Sequence, residues 1–236
     1  MTLVVGLRGA DGVVLASDSQ ATYGELKQSE NKLFKMAYGV IWGSAGPFSA
    51  TQDLYTALED AELSSNPRRE EAKAEIQAAM RSTIARLPDE DGVKPAFEAL
   101  FAWYDAGEKR HYLLRGLRNG HVEFDRTYGA IGSGENLGRF GFTRSEFLQL
   151  QTLPLETTRL ITYMVAEEAV KASSKAVDLP IQLALVSRGE ARVLRDDEVE
   201  GTSNAVGFYR ERQRELLSGG RQASGDGERG IRPRPA

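Results

Sequence analysis

Two short apolar runs near the start of the chain, Leu3-Val4-Val5-Gly6-Leu7 and Val13-Val14-Leu15-Ala16, stand on either side of Gly9-Ala10-Asp11-Gly12. The intervening residues supply turn chemistry at hairpin spacing, so the runs are expected to pair as adjacent strands. The second run is apolar at every position. A strand with one wet face alternates apolar and polar residues, whereas one that is apolar throughout is covered on both faces. The sequence therefore predicts a sheet that lies between two other layers.

Further strands are expected near Lys32 to Met36 and from Gly39 to Ser44, the latter ended by Ala45-Gly46-Pro47. From Ser49 the apolar spacing becomes helical: Leu54, Ala57, Leu58 and Ala61 mark one face, and Ala72, Ile76, Met80, Ile84 and Leu87 a second. Ser64-Ser65-Asn66-Pro67 separates the two helices, and Glu70 and Glu71 suit the positive end of the second. Phe97, Ala99, Phe101 and Trp103 then alternate with less apolar neighbours. Strands near Tyr112 to Leu117 and Val122 to Phe124 are joined through Asn119-Gly120, a strong hairpin signal. A helix on Leu160, Ile161, Met164, Val165, Ala169 and Ala172 precedes strands near Ile181 to Val186 and Ala191 to Leu194. Strands, two helices, strands, a helix and strands depart from strict βαβ alternation, which favours an α+β fold with two facing sheets and helices outside.

A chain of 236 residues, 41% hydrophobic and 27% charged, suffices for one large soluble domain. One domain over 2–217 is expected. The Gly, Arg, Ser and Pro-rich residues 218–236 are expected to form a disordered tail, because they have too little apolar surface to offset ordering. A net charge of −4 gives no basic field for nucleic acid. The absence of cysteine excludes disulfides, thiolate metal sites and a cysteine nucleophile, and His111 and His121 lack zinc-ligand spacing, so no metal and no cofactor is expected. The first residues carry no basic segment, and no run of 18 apolar residues follows. A cytoplasmic protein with no membrane partner is expected.

Chemistry enters at Thr2, a small hydroxyl residue directly before the first strand. Removal of Met1 would leave Thr2 with an α-amino group of pKa about 7.7–8.0. Such an amine can act as base near neutral pH while the hydroxyl of the same residue attacks. Alone, a threonine at this position carries little information.

The surroundings add more. Thr2-Leu-Val-Val-Gly6 followed by Gly12-Val-Val-Leu-Ala-Ser-Asp18-Ser-Gln-Ala-Thr-Tyr-Gly24 resembles the opening of proteasome β-type subunits and of the bacterial HslV-type peptidase, both N-terminal-nucleophile (Ntn) hydrolases. Asn31-Lys32-Leu33, Ser44-Ala45-Gly46 and Ala130-Ile131-Gly132-Ser133-Gly134 continue the resemblance, which covers roughly residues 2–195. It implies a four-layer αββα sandwich of two mainly antiparallel sheets. It also implies a threonine endopeptidase that acts on peptides or unfolded proteins from within a homo-oligomeric ring; an ATPase partner is not readable. By position, Thr2 matches the nucleophile, Asp18 the aspartate that holds the lysine, and Lys32 that lysine. Gly46 matches the oxyanion-hole glycine, and Ser133 a serine beside the threonine amine. Ala21, Glu30, Phe34 and Ser44 match the pocket for the substrate side chain preceding the cut. Ring contacts are expected from Leu54 and Leu58 or from the Leu160 helix.

Taken singly, each of these residues has a commonplace use. Asp18 could open a turn with Ser19. Lys32 could be a solvated lysine beside Lys27 and Lys35, and Gly46-Pro47 a simple turn. Gly132-Ser-Gly134-Glu-Asn-Leu-Gly138 departs from the phosphate-loop pattern, and Glu135 would repel phosphate. It is the ordered set behind Thr2 that points to catalysis. The sequence departs from the family in three places. The loop from Gly24 to Asn31 is shorter, and Pro47 replaces a second glycine, removing one N–H. The family's later Asp and Ser have no clean match within residues 172–180, where Ser174 and Asp178 are the candidates. A catalytically silent scaffold of the same fold and an amidase acting on a small amide are the rival readings.

Overall fold

The structure, a computed structural model, describes residues 2–23, 26–61, 67–89, 93–125, 127–173 and 180–222, with side chains described except at 20–29, 125 and 219–222. Strands β1 (Leu3–Arg8) and β2 (Gly12–Asp18) form the expected hairpin, with Val5 opposite Ala16 and Leu7 opposite Val14. They sit in the middle of a five-stranded antiparallel sheet. Its outer members are β10 (Tyr128–Gly132) beside β1, and β11 (Ile181–Ser187) then β12 (Glu190–Val193) beside β2. A second five-stranded antiparallel sheet is ordered along the chain: β5 (Leu33–Lys35), β6 (Ile41–Ala45), β7 (Glu98–Asp105), β8 (Arg110–Gly116) and β9 (Val122–Asp125). A short hairpin of β3 (Gln20–Tyr23) and β4 (Leu26–Ser29) leads from one sheet to the other.

The two-sided burial of the first hairpin is explained residue by residue. Leu3, Val5, Leu7, Val14 and Ala16 point into a layer shared with α3 (Glu135–Ser145) and α4 (Leu155–Ala172), through Phe142, Ile161, Val165 and Ala169. The alternate residues Val4, Val13 and Leu15 point the other way, against Leu33, Ile41, Leu100, Ala102 and Leu113 of the second sheet. The second sheet's outer face carries Trp42, Phe101 and Leu114 and is covered by α1 (Phe48–Glu59) and α2 (Arg69–Arg86). Helix, sheet, sheet and helix thus form four layers with three hydrophobic seams. Burying one large side chain in such a seam is worth about 1.5–3 kcal/mol.

Leu54 and Leu58 are fully buried in the α1 seam. This corrects the expectation that they serve ring contacts: their helical spacing marks the core face of α1. Two helices exceed what the apolar pattern predicts. Helix α3 follows the Gly132-Ser-Gly134 turn, and α5 (Asp196–Gln222) continues past the position where the tail was expected to begin. Residues 223–236 of that tail lie outside the described residues. Among the described residues no helix is long and apolar enough to cross a membrane.

Candidate functional site

Three strand ends meet at one end of the sandwich. Thr2 immediately precedes β1, Gly132 ends β10 and Ser133 follows it, and Gly46 follows β6. The Thr2 carbonyl accepts the Ser133 N–H at 3.0 Å and the Ser133 hydroxyl at 3.3 Å, so Ser133 is fastened directly to Thr2. Gly132 has φ +88°, and a Cβ there would lie 2.1 Å from the Thr2 carbonyl oxygen, an approach that only glycine permits. Gly46 has φ +144°, and a Cβ on it would lie 2.6 Å from the carbonyl oxygen of Ala96. Thr2, Gly46, Gly132 and Ser133, with Ala45, Ala96, Glu98 and Arg118, enclose a pocket of about 230 Å³.

Behind Thr2 stands the charged pair. Asp18, the last residue of β2, is fully buried. One of its oxygens, Oδ1, accepts the Leu3 N–H at 2.8 Å, and Oδ2 accepts the Lys32 ammonium at 2.7 Å. Lys32 is itself only 11% exposed. Burial pushes the Lys32 pKa below its ordinary value, opposed by the charge and hydrogen bond of Asp18 and by the charge of Glu30. One carboxylate therefore ties the backbone at the head of β1 to the ammonium group. This contact settles how Asp18 is used: it is a buried ion-pair partner, not the opener of a surface turn.

Gln182 completes the arrangement, and the sequence reading missed it. It lies on β11 opposite Ser17, and its Oε1 accepts the Lys32 N–H at 2.8 Å while its Nε2 donates to the Glu30 carbonyl at 2.6 Å. Ser17 Oγ approaches the same Oε1 at 3.5 Å. Only one orientation of the amide meets both the N–H and the carbonyl, so the backbone contacts fix it. The signal in the sequence is one polar residue interrupting the apolar strand Ile181-Gln182-Leu183-Ala184-Leu185-Val186. Glu98 was missed as well. It is a charged residue on a buried strand, only 6% exposed, 3.7 Å from Arg118 Nε across the pocket wall.

The residues matched to the side-chain pocket are not among those that line the 230 Å³ pocket. Ser44 exchanges a 2.8 Å hydrogen bond with Thr51 of α1. Phe34 stacks on Trp42 with ring centroids 4.7 Å apart and meets Tyr55 edge-on. Both belong to the α1 side of the second sheet. Glu30 donates its N–H to the Ser19 carbonyl at 2.8 Å. The side chain of Ala21 and the candidates Ser174 and Asp178 lie outside the described residues.

The sequence pattern that defines the proteasome subunit family matches residues 2–147, more than half of the chain. The chain belongs to the proteasome subunit family. Solved structures agree on the fold of this family member. An Anbu Gly-1 mutant from Hyphomicrobium sp. strain MC1 superposes with a TM-score of 0.69 at 18% identity, over 92% of this chain and 97% of the other. Anbu, described as an ancestral beta-subunit, from Yersinia bercovieri superposes at 0.70 and 17% identity, over 99% of this chain and 100% of the other. No curated protein sequence matches the chain. Its αββα layering is the sandwich of the proteasome and the Ntn hydrolases.

Proposed function

We propose that the chain is a threonine-type endopeptidase, active in the manner of β-type and HslV-like subunits, with Thr2 as the nucleophile once Met1 has been removed. The observation that carries this reading is Asp18, whose two oxygens hold the backbone beside Thr2 and the ammonium of Lys32. A buried carboxylate and a buried ammonium are costly unless paired, and a fold that needed only stability could use apolar residues there. In the proposed role the Lys32 charge favours the deprotonated nucleophile and its free amine.

In the proposed reaction the Thr2 hydroxyl oxygen attacks the substrate carbonyl carbon, and its proton passes to the Thr2 amine. The Gly46 backbone N–H donates to the oxyanion, a contact typically worth about 2.7–4 kcal/mol in the barrier. The protonated amine delivers its proton to the leaving nitrogen, the first peptide fragment departs, and an ester on Thr2 remains. Water, deprotonated by the same amine, then attacks the ester carbon; the bond to the Thr2 oxygen breaks, the amine returns the proton to that oxygen, and the second fragment leaves. Ser133, fastened to Thr2, serves the proton transfer. Ala21, Glu30, Phe34 and Ser44 are assigned to the pocket for the substrate side chain preceding the cut. No step calls for a metal or cofactor. By family analogy the chain works within a cytoplasmic homo-oligomeric ring that admits peptides or unfolded chains.

The test is intact and N-terminal peptide mass spectrometry, with and without a threonine-directed epoxyketone or β-lactone. Loss of Met1 and a single adduct on Thr2, abolished by Thr2→Ala with assembly preserved, is the expected result. Retained Met1 with no adduct would identify a silent scaffold. An adduct with hydrolysis of small amides only would identify an amidase.

A further inference from the structure

The far end of the sandwich carries a second cluster of polar groups. β1 rises from Thr2 and ends at Arg8, roughly 20 Å away for a strand of this length. There Arg8, Arg69 at the start of α2, and Arg110 at the start of β8 line a cavity of about 360 Å³ with Tyr112, Phe124, Thr127 and Gln151. An adjoining cavity of about 200 Å³ shares Arg8, Arg110 and Gln151 and adds Lys109 and His111.

The cations there are poorly matched. Among the described residues, no carboxylate lies within ion-pair distance of Arg8 or Arg110. Burial first, and the Arg110 charge second, push the Arg8 pKa down. His111 is 8% exposed, and its Nε2 has no hydrogen-bond partner. Arg69 Nε lies 3.5 Å from Glu70 but makes no hydrogen bond. Among the described side chains, the nearby acids are engaged or turned to solvent. Asp105 accepts the N–H groups of Arg69, Gly107 and Glu108, and Glu108 accepts the Tyr112 hydroxyl. Glu70 is largely exposed, and Asp11 is exposed beside His111. Buried polar groups without partners are uncommon in folded proteins and call for an explanation.

We infer that this end of the molecule binds a small phosphoryl anion between Arg8, Arg69 and Arg110, with inorganic phosphate as its simplest member. A tetrahedral oxyanion accepts from several directions at once, and guanidinium forks match its geometry. The aromatic rings of Tyr112 and Phe124 fix the forks: the Arg69 guanidinium lies 4.3 Å from the Phe124 ring centre and that of Arg110 5.6 Å from the Tyr112 ring centre. The site is separate from the Thr2 pocket and does not depend on Thr2 being a nucleophile.

The test is thermal unfolding of the whole protein at pH 8 against inorganic phosphate, with sodium chloride matching the ionic strength. A saturable rise in Tm is expected, about 2–4 °C when phosphate stands at about five times its Kd. Arg110→Met keeps an apolar stem on Tyr112 and should remove the rise. Arg110→Glu places a carboxylate beside Arg8; it should raise the phosphate-free Tm and also abolish the response. A Tm that follows ionic strength alone, or an undiminished phosphate response in both variants, overturns the inference.

Discussion

The backbone N–H of Lys32 donates to the side-chain oxygen of Gln182 at 2.8 Å, across 150 positions of sequence. With the second bond to the Glu30 carbonyl, Gln182 clamps the segment that delivers the Lys32 ammonium to Asp18. Gln182→Ala should lower kcat on a fluorogenic peptide about tenfold and leave KM nearly unchanged, because the clamp acts on lysine placement rather than on substrate binding. Gln182→Glu should do no better. It can accept from Lys32 but cannot donate to Glu30, and its charge should move the alkaline limb of the pH–rate profile upward by favouring the protonated lysine. An unshifted profile with full activity would show the clamp to be structural only.

Asp18 and Lys32 test each other. Asp18→Asn leaves a buried ammonium without its counter-charge and should cost about 3–5 kcal/mol in urea unfolding. The double variant Asp18→Asn with Lys32→Met removes both charges and should recover most of that stability while hydrolysis stays at background. Recovery of hydrolysis in the double variant would remove the pair from the mechanism.

Much of this arrangement is legible in the sequence, and the reasons differ by element. The unbroken run Val13 to Ala16 announces a doubly covered strand because both of its faces are apolar, and the structure fills one with helices and the other with the second sheet. Asp18, Lys32 and Gly46 stand out through their order behind Thr2. Helix α3 does not, because its packing uses absent side chains: a Cβ on Gly138 would lie 2.7 Å from Val5, and one on Gly141 2.9 Å from Val165. Such close contacts leave no apolar periodicity to read. Among its described side chains, helix α5 buries only Thr202 and Val206 and leaves Phe208, Tyr209, Leu216 and Leu217 exposed, so its apolar residues do not mark a core face. Gln182 shows in the sequence only as a polar break in an apolar strand, because its main partners are the backbone groups of Lys32 and Glu30, which carry no sequence identity.

Gly46 should not tolerate a side chain. Alanine there meets the Ala96 carbonyl at 2.6 Å in a backbone region that disfavours it. Gly46→Ala is expected to lose about 1–3 kcal/mol of stability. Hydrolysis should fall by far more than the folded fraction does, since the same shift moves the proposed oxyanion donor. Activity per folded molecule, obtained from an epoxyketone titration alongside circular dichroism, separates the two effects.

The outermost helix is held by charge. Arg210 of α5 bonds both Glu167 and Glu168 of α4, and Lys171 lies 3.0 Å from Glu167. Burial alone would raise the Glu167 pKa, but the bonds from Arg210 and Lys171 outweigh it and hold the carboxyl below its ordinary value. A depressed folded pKa stabilises the fold above the unfolded value of about 4.3, and that contribution is lost as pH falls through the folded value. Arg210→Ala should therefore cost about 1–3 kcal/mol at pH 7 and progressively less in acid. Wild type and variant should draw together in Tm as the pH falls through the folded value of Glu167, which a series of thermal melts from pH 7 downward would show. A Tm gap that stays constant across that series would mean that α5 is held by its apolar contacts, Val206 foremost, and that the ion pairs contribute nothing to its docking.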